Sequence, residues 1–489
     1  MRVAFIPSAY RTVFHHALGE RLGADGHEVY WLSPNRRWAQ WLVRRGVSEA
    51  RILDITRWAS DWRDGENPTP EQLRRLREVD AAGALRIRDI ILMDPLLGRP
   101  GRHALKYLAV CALRIRDFLS EREIGIVLAE QTWAFELLAG QVCRELGIPY
   151  HAPHTVRFPD SRFGFFDGHL EATLIGVREV SGADRRAAAE HLLRFRESYS
   201  QPDYMRVNRS VLRADGGRIR LLTRHVLDLA SDRFDETSRR PLGLIADHTR
   251  RLVRGKINLR RGRFADPPLP PERPFVFFPL HMQPEASIDI KGTPYSNQIE
   301  VVRAMTRTLP VTHDLYVKEH GIALTARSGR FYRELSRIPG VTLIDPRAGI
   351  HGLISATDLV VTVTGTAAYE AALLGRPSAS IAPIFFDPVV RFPRFDPFRD
   401  SVADLLADAG SDLEAGQGSG VAEERLIEFL AWLISRSFPG TVGDSLWLPD
   451  SMSVENIERV ADGFGALFEA YDRGATTSEG PPPGERSPP

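Results

Sequence analysis

The hydrophobic positions between residues 275 and 383 fall into short β-branched and aromatic runs separated by amphipathic segments. The runs FVFFPL, DLYVKEH, VTLIDP, LVVTVTG and PSASIA have the length and composition of buried strands. The segments between them, SNQIEVVRAMTRTL, SGRFYRELSRI, GLISATD and TAAYEAALLG, have helical patterns. Because such alternation forms a parallel sheet covered by helices, the pattern predicts a doubly wound domain whose ligand crevice lies at the carboxyl ends of the strands.

The amino-terminal half shows the same alternation. The strand patterns are RVAFIP, EVYWLS, IGIVLAE and IPYHAP, and the helical patterns are VFHHALGERLGADGH and WAFELLAGQVCRELG. Residues 170–256 are richer in helical pattern, which indicates a helical insertion or a bridge leading to the linker. The predicted fold class is therefore α/β, with two Rossmann-like doubly wound domains facing a cleft, a helical insertion and C-terminal helices. This is the architecture called GT-B, and it favours an enzyme with two substrates.

The domain limits follow from length and from two biased segments. A chain of 489 residues is too long for one ordinary core. The segment GRFADPPLPPERP, residues 262–274, contains five prolines and is predicted to be an extended linker. We therefore expect a first Rossmann-like domain with the helical insertion at 1–261, a second Rossmann-like domain at 275–400 and helices at 401–472. The Pro- and Gly-rich residues 473–489 have little to bury and are predicted to be a disordered tail.

Composition excludes several classes of protein. Hydrophobic residues make up 43% of the chain and charged residues 26%, with a net charge of +1, so a nucleic-acid-coating surface is not expected. Cys111 and Cys143 are too few for a thiolate zinc site or a disulfide framework, and their neighbours indicate buried helix positions. No ligand spacing for a metal and no membrane-spanning apolar run is apparent. We expect a cytoplasmic protein without a bound metal or cofactor.

The end of the DLYVKEH strand carries a candidate phosphate site. Lys318 and His320 stand there, and the only other lysines are Lys106, Lys256 and Lys291, since the remaining basic residues are arginines. A lysine provides a compact cation for phosphate, and a histidine can donate to the same group or transfer a proton. The alternative is a strand end with ordinary surface charges.

A second candidate is the turn Thr364–Gly365–Thr366 between a strand and a helix. The first amides of a helix lack intrahelical partners and the helix dipole favours an anion there, so the turn is a candidate phosphate cradle. Glu370, one helical turn after Thr366, could accept ribose hydroxyls. Alternatively, a threonine only caps the helix while Glu370 complements its dipole.

The end of the FVFFPL strand adds His281, Gln283 and Glu285. His281 with Glu285 could form an acid–base pair, although Pro284 indicates a shaped loop. Gln283 and Glu285 are predicted substrate contacts.

In the amino-terminal half, Glu130 ends a strand, and His154 precedes the aromatic-rich segment TVRFPDSRFGFFDG, interpreted as a loop. Arg157, Asp160 and Arg162 in this segment suit an anionic or sugar acceptor, although Arg–Asp pairing could instead pin the loop. The candidate general bases are Glu130 and Asp160, followed by His281.

The segments FFPLHMQPEAS, LYVKEHG, VTLIDP and VTGTAAYEAALLGRP, in this order, resemble the capsular polysaccharide biosynthesis family, which includes bacterial Kdo transferases. The resemblance covers roughly Phe275 to Pro383. It implies that the KEH segment and the GT turn with its glutamate hold the nucleotide of a sugar donor. The chain has His320–Gly321 where the family commonly has His-Pro, which is associated with CMP-sugar donors, and Ala368 where glycine is frequent.

The resulting hypothesis is a glycosyltransferase that moves a sugar from a nucleotide donor, CMP-Kdo-like by the resemblance, onto a growing capsular or other surface polysaccharide. The alternatives are a nucleotide-sugar epimerase or hydrolase and a non-catalytic capsule assembly or export protein. The expected partners are the nucleotide-sugar and the glycan acceptor, with no nucleic acid. The basic run RRLVRGKINLRRGR is interpreted as a solvated flank of the linker, and peripheral contact with the inner membrane or the assembly machinery is an alternative.

Overall fold

The computed structural model describes residues 1–478 apart from 9, 64–66, 95–96, 98–102, 200–253, 261–263, 268–270, 321–322, 415–419 and 446–447. The described chain divides into two compact units. The first unit contains residues 1–169 and 437–477, and the second contains residues 170–199 and 254–436. Each unit is built on one mainly parallel sheet.

The sheet of the first unit has the strand order β14-β6-β5-β4-β1-β2-β3. Strands β1 to β5 are parallel neighbours, whereas β6 runs antiparallel to both β5 and β14. The chain order reverses between β1 and β4, which is where an open α/β sheet forms its ligand crevice. The strands are β1 (Arg2–Phe5), β2 (Glu28–Ser33), β3 (Ile52–Asp54), β4 (Ile126–Leu128), β5 (Tyr150–Thr155), β6 (Arg162–Asp167) and β14 (Ser437–Pro439).

Helices of the first unit begin and end at recognisable signals. Thr69 and Gln72 form a reciprocal capping box at the start of the helix whose first residue is Pro70. Gly147 ends another helix in the left-handed conformation at φ 68°. The helices are α1 (Arg11–Ala24), α2 (Arg36–Arg44), α3 (Ala59–Arg63), α4 (Pro70–Ala82), α5 (Ile87–Met93), α6 (Ala104–Glu121), α7 (Ala134–Leu146) and α16 (Val454–Asp472).

Helix α16 packs against α1 and against the antiparallel edge of the sheet. The ring of Phe464 lies 4.9 Å from Phe165 and 6.0 Å from Phe163, centroid to centroid. Gly463 permits this approach, because a Cβ at that position would lie 2.8 Å from Phe163 Cζ and 2.9 Å from Phe438 Cγ. The aromatic segment interpreted as a loop therefore contains strand β6. Because Phe163, Phe165 and Phe166 are all buried, the strand lacks the alternation that would have identified it.

The sheet of the second unit is parallel throughout, in the order β10-β9-β8-β11-β12-β13. Numbered within the unit, this is the order 3-2-1-4-5-6 of a Rossmann fold, with the reversal between β8 and β11. The strands are β8 (Phe275–Pro279), β9 (Asp314–Lys318), β10 (Val341–Ile344), β11 (Leu359–Thr362), β12 (Ser378–Ser380) and β13 (Phe392–Pro393). Residues 170–199 also contain the short β7 (Thr173–Leu174), which is not part of this sheet.

Helices bury both faces of this sheet. Val276 and Phe278 belong to one apolar cluster, whereas Phe275 and Phe277 belong to another, as the alternation of side chains along a strand requires. The helices are α8 (Gly182–Glu197), α9 (Ala286–Asp289), α10 (Gln298–Thr308), α11 (Gly329–Leu335), α12 (Ile350–Ala356), α13 (Ala367–Leu373), α14 (Val402–Glu414) and α15 (Glu423–Ser435). Helix α8 packs on α15 within this unit.

Two sheets of mainly parallel strands, each covered by helices, confirm the predicted α/β class and its Rossmann-like domains. The expected domain limits differ from the observed units, because residues 170–199 group with the second unit and residues 437–477 with the first. Part of the expected linker is hydrogen-bonded to the second sheet, since Ala265 pairs with Ile344 at the edge of that sheet. Most of the predicted helical insertion, and the predicted tail beyond residue 478, lie outside the described residues.

Cys111 and Cys143 are buried in α6 and α7 as predicted, and neither forms a disulfide. No helix among the described residues is both long and apolar enough to cross a membrane.

Candidate functional site

The carboxyl edge of the second sheet brings together three of the predicted segments. Strand β8 lies between β9 and β11, with Pro279 opposite Lys318 and Phe277 opposite Val360. The residues that follow these three strands therefore lie side by side at the reversal of strand order. They are His281 after β8, His320 after β9 and the Thr364–Thr366 turn after β11.

Lys318 is held at this edge by two backbone contacts. Its Nζ donates to the carbonyl oxygen of Pro346 at 2.8 Å, and its own carbonyl oxygen accepts from the Leu280 amide at 2.8 Å. The ammonium group is thus positioned at the loop that follows β10, while the backbone of Lys318 is tied to the residue that follows β8.

His320 is a neutral imidazole in this environment. Burial lowers its pKa, and the positive charges of Lys318 and Arg327 lower it further. Its Nδ1 is buried and has no hydrogen-bond partner among the described residues. A buried polar nitrogen without a partner is costly and uncommon, which makes it a candidate for contact with a ligand.

A buried ion pair beneath this edge was not foreseen from the sequence. Arg327 Nε lies 3.0 Å from Glu319 Oε2, and both side chains are almost fully buried. Glu319 also accepts from Tyr332 Oη at 2.8 Å and from the His320 amide at 2.7 Å. Burial raises the pKa of Glu319 and Arg327 opposes that rise. The pair fixes the backbone at His320 and adds a second cation beside it.

His281 is buried and holds the neighbouring loops. Its amide donates to Gln298 Oε1 at 2.8 Å, and its Nε2 accepts from the Thr364 amide at 3.2 Å. Burial, reinforced by Arg327 and His320, lowers its pKa to about 3. A ring nitrogen that already accepts a backbone N–H is not poised to take a substrate proton, so the geometry favours a positioning role over the predicted one as a base.

The Thr364–Gly365–Thr366 turn uses two of its amides internally. Thr364 donates to His281, and the Gly365 amide donates to Thr362 Oγ1 at 2.9 Å. These two amides therefore do not form the open phosphate cradle expected from the sequence. Gly365 is required for the turn itself, because a Cβ there would lie 2.5 Å from Thr362 Oγ1.

Glu370 lies in α13 with its carboxyl group buried. It accepts from Tyr199 Oη at 2.6 Å and from Thr366 Oγ1 at 3.3 Å. Burial raises its pKa to about 6, although both hydroxyl contacts oppose the rise. Tyr199 in turn stacks on His351 at a centroid distance of 4.1 Å. The carboxyl group therefore binds two hydroxyls, the kind of group that a ribose would present.

Gln283 and Glu285 shape the loop that follows β8. The Gln283 amide group donates to Asp289 Oδ1 at 2.9 Å and to the Ser296 carbonyl oxygen at 3.1 Å. The backbone amide of Glu285 donates to Asp289 Oδ2 at 2.9 Å, and its side chain is exposed.

In the first unit, Glu130 stands at the end of β4, next to the reversal of strand order. Its carboxylate forms an ion pair with Arg11 at the start of α1. Nearby, Glu136 is buried and accepts from the Thr132 amide and hydroxyl at 2.7 and 2.6 Å. Burial raises the pKa of Glu136 to about 7. Glu136 was missed in the sequence because its pattern is that of an ordinary helix start.

The other predicted residues of the first unit are spread along β5, β6 and the turn between them. The His154 ring meets Phe166 edge-on at 6.2 Å, Arg157 has φ 72°, and Asp160 is exposed in the turn. The Arg162 guanidinium donates to Ser437 Oγ at 2.9 Å and to the Ser437 carbonyl oxygen, which ties β6 to β14.

Among the described residues, no group of three or more His, Cys, Asp and Glu side chains is arranged to hold a metal ion. The second sheet instead places Lys318 and the Arg327–Glu319 ion pair beside a neutral histidine, which leaves one positive charge in excess. Such a site can bind an anion and stabilise negative charge.

No protein-family model and no curated protein matches this sequence. Among solved structures, the chain is similar to the beta Kdo 2,7 transferase KpsC of Thermosulfurimonas dismutans, with 11% identity over 73% of this chain and 89% of that one and a TM-score of 0.32. It is also similar to UDP-GlcNAc 2-epimerase of Neisseria meningitidis bound to UDP-GlcNAc (11% identity, 97% and 100% coverage, TM-score 0.22). A third similar structure is Anabaena Alr3699/HepE in complex with UDP-glucose, with 10% identity over 96% of this chain and 100% of that one and a TM-score of 0.27. A KpsC Kdo transferase is thus among the similar structures, in agreement with the family resemblance, but similarity at this level assigns no activity to this chain.

Proposed function

We propose that the protein is a glycosyltransferase that takes a sugar from a nucleotide-sugar donor, and that the second unit binds the donor phosphates at Lys318 and His320. The observation that carries the proposal is the cationic carboxyl edge of a Rossmann-ordered sheet, where the buried His320 Nδ1 has no partner among the described residues. The reversal of strand order is where such sheets bind nucleotides.

The chemistry needs a group that stabilises negative charge on the departing phosphate. The Lys318 ammonium supplies a fixed positive charge, and neutral His320 supplies a ring nitrogen that can donate without a net charge. The Glu319–Arg327 ion pair holds the backbone at His320, which keeps both groups in place before the donor arrives. Glu370 would accept ribose hydroxyls in place of the hydroxyl it now binds from Tyr199.

We assign acceptor binding to the first unit, with a growing capsular or other surface polysaccharide as the acceptor. The general base would be Glu130 or Asp160. Glu130 follows the strand beside the reversal of the first sheet, and its ion pair with Arg11 holds the carboxylate at that edge. Asp160 is exposed in the turn between β5 and β6.

Nucleotide binding is the first test. A thermal-shift screen with CMP, UDP, GDP and dTDP should raise the melting temperature with at least one nucleotide, because a ligand that binds the native state stabilises it by mass action. Lys318→Ala should weaken that binding about tenfold or more, as the loss of a charge-assisted contact would. The matched control is Lys256→Ala, which removes an exposed lysine elsewhere in the same unit. Equal binding by the parent and Lys318→Ala would overturn the phosphate assignment.

The reaction type needs a separate assay with the donor alone. A transferase releases little nucleotide until an acceptor glycan is added, whereas an epimerase or hydrolase consumes the donor without one. Rapid epimerisation or stoichiometric hydrolysis without acceptor would replace the transferase proposal by one of these activities. Binding of no nucleotide in the screen would instead favour a non-catalytic role in capsule assembly.

A further inference from the structure

A second cationic feature of the second unit lies between α10 and α11. It is a cavity of about 740 Å³ at the protein surface. Its charged lining consists of five arginines and one glutamate, namely Arg303, Arg307, Arg330, Arg333, Arg337 and Glu334. We call this cavity the arginine groove.

Most of the charge in the arginine groove is not compensated. Arg303 pairs with Glu334 at 2.7 Å and also with Glu300. Among the described residues, no carboxylate pairs with the other four guanidinium groups, which are exposed on Arg307, Arg330, Arg333 and Arg337. Four like charges therefore converge on one cavity, although their mutual repulsion disfavours that arrangement.

Helix dipoles explain only part of this placement. Arg307 and Arg333 lie in the last turns of α10 and α11, where a cation is favourable. Arg330, in contrast, is the second residue of α11 and lies at the positive end of that helix. A cation at that position is opposed by the dipole, so the dipoles do not account for the cluster as a whole.

The arginine groove is separate from the Lys318 edge. Helix α10 follows β8 and runs back toward the amino ends of the strands, so Arg303 and Arg307 lie toward its far end. Pro339, which also lines the groove, stands two residues before the start of β10 at Val341. The groove therefore extends from the start of α11 toward the amino edge of the sheet, whereas Lys318 lies at the carboxyl edge.

We propose that the arginine groove binds an anion that carries two phosphate groups. Guanidinium groups match phosphate oxygens with paired, charge-assisted hydrogen bonds. A phosphate monoester carries about −1.5 to −2 at pH 7 and a phosphodiester about −1, so two phosphates bring about two to four negative charges to the four uncompensated arginines. Either a soluble diphosphate or a lipid head group with two phosphates presents this chemistry.

Calorimetry with inorganic pyrophosphate tests the soluble source, and cosedimentation with phosphatidylcholine vesicles containing cardiolipin tests the lipid source. The test variant is Arg330→Gln/Arg333→Gln. The matched control is Arg185→Gln/Arg194→Gln, which removes the same charge from exposed arginines of α8 that pair with Glu428 and Glu190. All four side chains are exposed, so both variants should fold as the parent does.

We expect the test variant to bind one of the two probes at least about tenfold more weakly than the control does. Loss of pyrophosphate binding identifies a soluble diphosphate, and loss of vesicle binding alone identifies a lipid head group. The proposal is overturned if neither probe binds the parent, or if test and control variants lose binding equally. It also fails if Lys318→Ala, and not the test variant, abolishes pyrophosphate binding, since the ligand would then belong to the carboxyl edge.

Discussion

The carboxyl edges of the two sheets share a topology but differ in charge. In the first unit, the cation at the edge, Arg11, is paired with Glu130. In the second unit, Lys318 contacts a backbone carbonyl oxygen, and Arg327 adds a second positive charge beside His320. Each reversal of strand order thus holds one Arg–Glu ion pair, and the second also has the ammonium group of Lys318 at a strand end. Topology creates a crevice at both edges, but only the second is prepared for an anion.

Each unit also contains a buried histidine and a buried glutamate after corresponding strands. His15 follows β1 and His281 follows β8, while Glu136 follows β4 and Glu370 follows β11. Their partners differ. Glu136 binds the backbone and hydroxyl of its own helix start, whereas Glu370 binds the hydroxyl of Tyr199, which is 171 positions away in the chain. The first glutamate holds local structure, and the second connects distant segments.

Acid should produce the largest loss of stability, because burial lowers the pKa of both His15 and His281 to about 3. With folded pKa values below the ordinary 6.5, each histidine contributes stability that is complete above pH 6.5 and is lost as the pH falls toward 3. At pH 4 the loss is about 3 kcal/mol per histidine. His281→Gln should remove this loss for the second unit, and His15→Gln for the first, in melting curves measured from pH 8 to 4. An unchanged pH dependence in both variants would contradict the assignment.

Gly365→Ala should disturb the carboxyl edge of the second unit, whereas a glycine substitution in the first unit should not. The new Cβ would lie 2.5 Å from Thr362 Oγ1, so the turn after β11 must shift, at a cost of about 1–3 kcal/mol in the free energy of unfolding. Nucleotide binding should weaken with it. The control is Gly23→Ala in α1, where a Cβ meets nothing within 4 Å and should stabilise the helix by about 0.5–1 kcal/mol. Equal effects of the two substitutions would remove the special role of Gly365.

Glu370→Gln should remove a pH dependence of stability that is opposite in sense to that of the two histidines. Burial raises the pKa of Glu370 to about 6, so its stabilising contribution is complete below the ordinary value of 4.5 and is lost as the pH rises through 6. The glutamine variant should therefore gain about 2 kcal/mol relative to the parent between pH 4.5 and pH 8. Chemical denaturation at both pH values measures this gain, with Glu136→Gln as the counterpart in the first unit. If Glu370 also holds the ribose, the same variant should bind nucleotides more weakly, and unchanged affinity would end that assignment.

Local patterns were sufficient for five of the six strands of the second sheet but for fewer of those of the first. Strands β8 to β12 lie within the predicted runs because each is short, apolar and bounded by polar residues or helix starts. The two-residue β13 was missed because Phe392 and Pro393 carry no periodicity. Strand β6 was missed because the antiparallel edge is completed by β14, whose Ser437–Pro439 lies about 270 residues further along the chain.

The candidate site shows the same division between local and distant information. The strand-end rule placed Lys318, His320 and the Thr364–Thr366 turn at one edge, and the registers of β8, β9 and β11 agree. Arg327, Gln298 and Tyr199 were not foreseen, since each reaches its partner through tertiary packing. The Thr364 amide is also not open as expected, because tertiary packing brings the ring of His281 to it as an acceptor.

The smallest expected effect concerns the compensated pair of the first unit. The Arg11 side chain is 25% exposed and that of Glu130 10%, so solvent still screens the pair. A double-mutant cycle with Arg11→Gln and Glu130→Gln should give a coupling energy of about 0.5–1 kcal/mol and no change in nucleotide affinity. The cycle also distinguishes the roles of the two residues. If Glu130 is the general base, Glu130→Gln should abolish transfer while Arg11→Gln retains most of it, because only the carboxylate accepts the proton. Equal loss of transfer in both single variants would show that the pair acts through structure, and Asp160 would then be the remaining candidate base of the first unit.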